Sequence, residues 1–279
     1  FNFPLNLLAH KVAPAIAVGN PFLVKPASAT PVSSLILGEI LSMAGLPEGA
    51  FSILPCSPNI ARPLVEDERI AKLSFTGSAE VGWALRAKAG KKRVTLELGG
   101  NAALVVDESA DLQKTVERTL LGAFGQAGQS CISVQRIYVA RSIVEEFITL
   151  LVSATKTLRT GDPNDPTINV GPMISEKEAT RAHQWILDAQ TNGARVLCGG
   201  KRRGSLLTPT LLTDVDSSSP LVQEEVFAPV AVIEAFDSWP EVIALINQSR
   251  FGLQAGIFTN RLDRALDAWN RLEVGGVVV

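Results

Sequence analysis

A run of small residues that ends in a cysteine is the feature with the clearest chemical meaning. Residues 125–131 read Gly-Gln-Ala-Gly-Gln-Ser-Cys, so little side-chain bulk precedes the thiol of Cys131. Such a run lets backbone N–H groups approach whatever binds at the sulfur. A nucleophilic cysteine also needs polar groups that favour the thiolate, and these must come from elsewhere because no histidine lies nearby. The alternative is a small core residue, since cysteine is often buried.

A carboxylate within an apolar strand pattern is the second candidate. Glu97 belongs to the run Val-Thr-Leu-Glu-Leu-Gly-Gly at residues 94–100, which predicts a buried strand. A charged side chain is costly in such a strand unless it is paired or functional. Burial disfavours the charged form of a carboxylate and so makes the carboxylate a stronger base, which suits a general base near neutral pH. A salt-bridged glutamate is the structural alternative, and we favour the base.

A turn that could bind a phosphate follows another predicted strand. Thr76-Gly77-Ser78 leads directly into a helix, whose free N–H groups and positive dipole end attract anions. Gly82 completes a pattern that resembles the dinucleotide fingerprint without matching it. Capping of the helix by Ser78 explains the turn equally well. Lys25, after an earlier strand, either supplies a cation to the same ligand or is an exposed strand end.

Strand and helix patterns alternate in the first hundred residues. They predict helix 5–18, with a kink or an early end at Pro14, strand 22–25, helix 30–45, strand 51–54, helix 60–65, strand 70–75, helix 78–89 and strand 94–98. Continuous apolar strands in this order predict an α/β fold with a doubly wound parallel sheet, covered on both faces. Ligands of such sheets bind beyond the carboxyl ends of the strands, where Lys25, the turn at 76–78 and Glu97 would collect.

The alternation continues after Gly100. The predicted elements are strand 102–106, helix 111–124, the Cys131 loop, strand 134–140, helix 142–158, a loop over 161–172, helix 175–192, strand 194–198, a flexible basic turn at 199–204, strand 230–236, helix 239–249, strand 255–259, helix 261–272 and a last strand. This half is therefore also predicted to be α/β.

Composition narrows the class of protein. The 279 residues are 46% hydrophobic and 19% charged with a net charge of −2, which is typical of a globular protein with a large core and gives no reason to expect a nucleic-acid partner. No apolar stretch approaches the length of a membrane span. Three widely spaced cysteines and two histidines predict neither a disulfide framework nor a metal site, and they fit a reducing, cytoplasmic location. The chain begins and ends abruptly, and we expect both ends to be cut from something longer.

Six motifs, in order, resemble those of the aldehyde dehydrogenase superfamily. They are Phe1-Asn2-Phe3-Pro4, Val24-Lys25-Pro26, Phe75-Thr76-Gly77-Ser78, Leu96-Glu97-Leu98-Gly99-Gly100, Gly128-Gln129-Ser130-Cys131 and Glu224-Glu225-Val226-Phe227-Ala228-Pro229. The resemblance covers the whole chain. It implies a partial dinucleotide-binding domain at 1–99 and a catalytic domain at 100–279 that carries the nucleophilic cysteine.

The resemblance also implies a reaction. Cys131 would attack an aldehyde as a thiolate and give a thiohemiacetal, whose oxyanion the Asn2 side-chain amide and the Cys131 backbone N–H would stabilise. Loss of a hydride to a nicotinamide cofactor would leave a thioester, and Glu97 would activate the water that releases the acid.

The same resemblance assigns residues to the cofactor. Lys25 would bind a ribose and Gly77 and Ser78 the pyrophosphate, while Glu225 would bind the nicotinamide ribose and Phe227 would pack near the ring. Two further positions bear on whether the protein prefers NAD or NADP.

Ser28 stands where relatives that prefer NAD have glutamate, so it does not repel a 2′-phosphate, and Arg62 could reach the adenine or that phosphate. We therefore expect NADP to be accepted. Two residues depart from the motifs. Position 126 is Gln126 where the family usually has Asn or Asp, and position 228 is Ala228 where Gly is usual.

Two other functions stay open. A CoA-acylating relative would pass the acyl group to CoA, although such members tend to lack the glutamate base that Glu97 supplies. A non-catalytic structural protein on this fold would need none of Cys131, Glu97, Asn2 and Lys25. The branch that acts on small polar aldehydes, such as lactaldehyde, glyceraldehyde or phosphonoacetaldehyde, is the most similar, and its members imply a homodimer or homotetramer.

Overall fold

Helices and strands alternate along the chain, as the sequence predicts. The computed structural model describes residues 1–279, which separate into a unit of residues 1–98 and a unit of residues 99–279. Each unit is described in turn.

The first unit contains four helices and four short strands. In order they are α1 (Asn6–Ala17), β1 (Phe22–Val24), α2 (Val32–Met43), β2 (Phe51–Ile53), α3 (Pro58–Glu66), β3 (Lys72–Thr76), α4 (Ala79–Lys88) and β4 (Arg93–Glu97). Strand β1 pairs with β2 and β3 with β4, both in parallel, so this unit has two two-stranded sheets.

The strands of this unit are buried on one face only. In β4 the side chains of Val94 and Leu96 are partly buried, whereas Arg93, Thr95 and Glu97 are exposed. The expected burial of Glu97 is therefore wrong. The physical reason is the two-residue period of a strand, which puts Glu97 on the polar face of a sheet covered on one side.

Helix α1 continues through Pro14 to Ala17, so of the two expected outcomes, a kink or an early end at Pro14, the early end is wrong. Proline removes one backbone donor and so weakens a helix. Here Leu8 and Val12 lie buried on one face of α1, and packing of that face offsets the missing hydrogen bond.

The second unit is built on a seven-stranded sheet. Its elements are β5 (Ala102–Val106), α5 (Leu112–Phe124), β6 (Val134–Ala140), α6 (Val144–Thr155), α7 (Glu176–Thr191), β7 (Arg195–Cys198), β8 (Arg202–Arg203), β9 (Leu206–Leu207), β10 (Thr210–Thr213), α8 (Pro220–Gln223), β11 (Val230–Phe236), α9 (Trp239–Asn247), β12 (Gln254–Phe258), α10 (Leu262–Arg271) and β13 (Gly276–Val278). The sheet order is β13-β12-β5-β6-β11-β10-β7, and every pair is parallel except β10 with β7.

Helices cover both faces of this sheet, which confirms the predicted fold class. Leu104 of β5 and Ile137 of β6 pack with residues of α5 and α6, whereas their neighbours Val105 and Tyr138 pack with residues of α9 and α10. All five residues of β5 are buried, as expected for a central parallel strand. Elements β8, β9, β10 and α8 were not expected, and β8 and β9 form a hairpin that includes part of the predicted flexible turn.

Candidate active site

In the first unit, the predicted phosphate turn and Glu97 lie side by side. Thr76 and Glu97 are register partners at the carboxyl ends of β3 and β4, and the Gly77 N–H donates to the Glu97 carbonyl at 3.0 Å. Parallel strands bring their carboxyl ends to one edge, so this pairing is the one that the sequence predicts.

The start of helix α4 retains unused polar groups. Ser78 has the extended backbone of an N-cap residue, yet its hydroxyl makes no capping hydrogen bond. The Thr76 hydroxyl is buried without a hydrogen-bond partner. Capping by Ser78 therefore does not account for the turn, and free donors at a helix N-terminus suit a pyrophosphate.

The remaining candidates of this unit lie on loops and a helix. Asn2 is half-buried just before α1, and Lys25 is half-buried after β1 with its Nζ donating to the Pro26 carbonyl at 2.9 Å. Ser28 is exposed. Arg62, on α3, is exposed and lies 3.9 Å from the Glu66 carboxylate.

In the second unit, the backbone before the cysteine forms a tight left-handed turn. Gln126, Ala127 and Gly128 have φ values of 56°, 54° and 65°, between the end of α5 and the start of β6. A Cβ on Gly128 would collide with the Ala228 carbonyl, so glycine is required there. The turn thus packs the Cys131 loop against the motif that contains Ala228.

A pair of glycines forms the centre of this arrangement. A Cβ on Gly100 would collide with the Cys131 carbonyl, and one on Gly99 would collide with the Glu225 carboxylate. The Gly100 N–H donates to Glu225 Oε1 at 2.8 Å. Gly100 therefore brings the backbone of Cys131 and the side chain of Glu225 together, at the start of the central strand β5.

The surroundings of Glu225 are unusual for a carboxylate. Burial raises the pKa of Glu225, and the Gly100 N–H and the positive charge of Arg181 oppose that rise. Nearby Phe227 has a φ of 51°, which is rare for a bulky residue. Strain of this kind persists where the surrounding structure imposes it, often at functional sites.

Three polar side chains that the sequence analysis missed hold the segment around Glu225. The amide of Asn101 donates to the Val222 and Glu224 carbonyls, each at 2.9 Å. Gln135 and Arg181 bind the same segment from β6 and α7. The available signal was Gln135 itself, an amide within the apolar strand Val134–Ala140.

Neither a membrane span nor a metal cluster accompanies these residues. None of the helices has the length and apolar character that crossing a bilayer requires. No group of three or more His, Cys, Asp or Glu side chains could hold a metal ion.

Known proteins share this fold and sequence. The 3-sulfolactaldehyde dehydrogenase of Priestia aryabhattai is 43% identical over 280 residues, which cover 100% of this chain and 59% of that protein. The structure of aldehyde dehydrogenase 21 from Physcomitrella patens, in complex with the reaction product succinate, matches with a TM-score of 0.97 and 46% identity over 99% of this chain and 58% of that one. Glyceraldehyde-3-phosphate dehydrogenase GapN from Methanocaldococcus jannaschii, complexed with NADP, matches with a TM-score of 0.95 and 40% identity over 99% of this chain and 61% of that one.

These matches show the family to which the chain belongs and how much of its relatives' length the chain spans. The chain spans 58–61% of the length of the three relatives. The family model described as "Aldehyde dehydrogenase family" matches residues 1–279, from one end of the chain to the other. The resemblance carried by the six motifs is thereby confirmed: the chain belongs to the aldehyde dehydrogenase family.

Proposed function

We propose that the protein oxidises a small polar aldehyde to the carboxylic acid with NADP or NAD as the cofactor. The observation that carries the proposal is the contact of Gly99 and Gly100 with both the Cys131 backbone and the Glu225 carboxylate. The reaction needs the nucleophile and the cofactor to lie close together. The loop that would carry the nucleophile and the carboxylate that would bind the cofactor both pack against this pair of glycines.

Cys131 would be the nucleophile. Its thiolate would add to the aldehyde carbonyl and form a thiohemiacetal, and loss of a hydride from that adduct to the nicotinamide cofactor would leave a thioester on the sulfur. The Asn2 side-chain amide and the Cys131 backbone N–H would donate hydrogen bonds to the oxyanion. Removal of one donor that is aimed at a developing oxyanion raises the activation barrier by roughly 3–4 kcal/mol.

Glu97 would be the general base of the second half-reaction. It would take a proton from water, which then attacks the thioester and releases the acid. The exposed carboxylate at the end of β4 is in contact with the solvent that supplies this water. Exposure is consistent with a base, although it differs from the buried environment that the strand pattern predicts.

The chain's residues fit a dinucleotide. Gly77 and Ser78 would bind the pyrophosphate, which is supported by the Ser78 hydroxyl, which makes no capping hydrogen bond, and by the buried Thr76 hydroxyl without a partner. Lys25 would bind a ribose of the adenosine half and Glu225 the nicotinamide ribose, with Phe227 beside the ring. When bound, the cofactor would accept a hydride from the adduct on Cys131.

The adenosine end favours acceptance of NADP. Ser28 is exposed and uncharged, so nothing at that position repels a 2′-phosphate. The Arg62 side chain is 63% exposed, and its guanidinium makes a long contact of 3.9 Å with the Glu66 carboxylate. The NADP complex of GapN supports the same cofactor class.

The names of the relatives support the substrate class. A sulfolactaldehyde and a glyceraldehyde phosphate are both short aldehydes that carry a hydroxyl and an anionic group. We propose a substrate of this kind.

The test is an assay of the full-length protein with a panel of such aldehydes and either cofactor. We expect formation of NADPH or NADH together with the acid, and Cys131→Ser should lower kcat by at least about a thousandfold, since it removes the nucleophile. Unchanged turnover in Cys131→Ser would contradict the mechanism, and a protein that neither binds a cofactor nor oxidises any aldehyde would favour the structural alternative.

The CoA-acylating alternative has a separate test. Glu97→Gln should abolish release of the free acid and leave the acyl group on Cys131, which mass spectrometry of the intact protein detects. A CoA-dependent enzyme would instead release an acyl-CoA and tolerate the substitution. The domain boundary at 99/100, the homo-oligomer and the cytoplasmic location stay predictions.

A further inference from the structure

The segment that carries Glu225 lies between helix α8 and strand β11 and belongs to neither. Residues 224–229 therefore lack the continuous backbone ladder that would fix them. Buried peptide groups need hydrogen-bond partners, and here side chains provide them.

One amide binds the peptide groups on both sides of Glu225. Gln135 Nε2 donates to the Glu224 carbonyl at 2.6 Å and to the Leu221 carbonyl at 3.0 Å, while Gln135 Oε1 accepts from the Val226 N–H at 2.9 Å. Gln135 is only 5% exposed and lies on the central strand β6. Its amide therefore ties the backbone on either side of Glu225 to the middle strand of the seven-stranded sheet.

Two further side chains complete the support. Asn101, on the other side of Gly100 from Gly99, shares the Glu224 carbonyl with Gln135. Arg181 donates to the Val226 carbonyl at 2.7 Å and stacks on Trp185, with 4.5 Å from its guanidinium carbon to the ring centroid. Gln135 and Asn101 thus bind the backbone of the residue before Glu225, and Gln135 and Arg181 bind the backbone of the residue after it.

We propose that Gln135 is a positioning residue for the binding of the nicotinamide ribose: it fixes the Glu225 backbone so that the carboxylate stays at the Gly100 N–H and faces the ribose diol. This inference rests on the proposed function of Glu225. Asn101 and Arg181 assist in the same task. Carboxylates pre-organised in this way bind a diol without reordering the loop.

The experiment measures cofactor binding to the full-length protein by calorimetry. Gln135→Met preserves length and apolar bulk but removes all three hydrogen bonds, and we expect the Kd for the cofactor to rise about tenfold. In steady state, KM for the cofactor should rise while KM for the aldehyde at saturating cofactor stays unchanged. Gln190→Met, on the exposed face of α7, is the matched control and should leave both constants unchanged.

A double-mutant cycle separates positioning from general damage to the fold. If Gln135 acts through Glu225, then Gln135→Met should have little further effect in a Glu225→Gln background. Equal losses in both backgrounds would overturn the proposal, and so would an unchanged Kd in Gln135→Met. A wild-type protein that binds no cofactor, or whose affinity is unchanged by Glu225→Gln, would instead refute the proposed function on which the inference rests.

A second variant guards against misfolding of Gln135→Met. Arg181 is partly exposed, so Arg181→Gln should fold, and it removes the bond to the Val226 carbonyl. We expect a Kd about threefold higher, again only when Glu225 is present. An additive effect in the Glu225→Gln background would overturn the proposal here too.

Discussion

The cysteines of the chain differ in how readily they should react. Burial raises the pKa of the Cys198 thiol, and a backbone N–H from Leu211 opposes that rise. Cys131 instead follows a turn of small residues. We expect iodoacetamide at pH 7.5 to modify Cys131 well before Cys198, as peptide mapping by mass spectrometry would report.

The control for this labelling is Cys131→Ser, which should remove the fast phase and leave the slow reaction of Cys198 unchanged. Faster labelling of Cys198 in the wild-type protein would contradict the assignment of the nucleophile.

Ser28 should decide between the two cofactors. A carboxylate at this exposed position would repel the 2′-phosphate, so Ser28→Glu should lower kcat/KM for NADP about tenfold relative to that for NAD. The measurement is kcat/KM with each cofactor at one ionic strength. Ser28→Gln has the same size without the charge and should change the ratio little, and an unchanged ratio in Ser28→Glu would refute the proposed role.

Glu225 should make stability depend on pH. Because its folded-state pKa is raised above the ordinary 4.5, stability is lost as the pH rises from 4.5 through the raised value. Glu225→Gln keeps an acceptor for the Gly100 N–H and has no charge to desolvate. We expect its gain in Tm over the wild type to be larger at pH 8 than at pH 4.5, and equal gains at both pH values would contradict this account.

At the scale of the elements, the pair of glycines before β5 is the site at which we expect substitution to be least tolerated. Gly100→Ala would place a methyl group against the Cys131 carbonyl, and relief of that clash requires the backbone to move. We expect a loss of roughly 1–3 kcal/mol in the free energy of unfolding, as for other overpacked sites, together with loss of activity.

Gly276→Ala is the matched substitution, since a Cβ there meets no atom within 4 Å. Denaturant unfolding of the two variants would show the difference. Equal stability of both would mean that the approach of Cys131 to Gly100 is not close.

Long alternating elements were predictable, whereas those that depend on distant partners were not. The sequence predicts strand β5 at its observed bounds, because five apolar residues between turn signals favour a short buried strand. The hairpin of β8 and β9 was missed because each strand has two residues, too few for a period. Glu97 was expected in a buried strand because sequence gives the alternation of a strand but not which face is covered.

The same distinction applies to the candidate site. The sequence singles out Cys131, Glu225 and the glycines at 99–100 as candidates because they stand within contiguous motifs. It does not single out Gln135 and Arg181, since their hydrogen bonds reach residues 89 and 45 positions away along the chain. No local pattern encodes such a contact.

At the scale of the whole molecule, the two units differ in how much core they hold. The buried apolar side chains of residues 1–98 are those of Leu8, Val12, Pro26, Val65 and Ala89, whereas all three core clusters lie in residues 99–279. Because cooperative stability follows buried apolar contacts, we expect amides of β1 and β2 to exchange with deuterium faster than those of β5 and β6.

Hydrogen exchange of the chain 1–279, followed by mass spectrometry, would test this order. Helix α2 is a useful internal reference, because its large side chains Val32, Ile36 and Met43 are 63%, 52% and 81% exposed. Slower exchange in the first unit than in the central strands would contradict the expected order.

The left-handed turn before Cys131 also limits which amino acids its positions can accept. Random codons at position 128 should return glycine alone among active clones, because any side chain would meet the Ala228 carbonyl. Position 126 is exposed and has a positive φ, so glycine and asparagine should be the most frequent survivors there. Positions 126 and 128 would thus accept substitutions at very different rates, and the more restricted of them, position 128, lies three residues before Cys131.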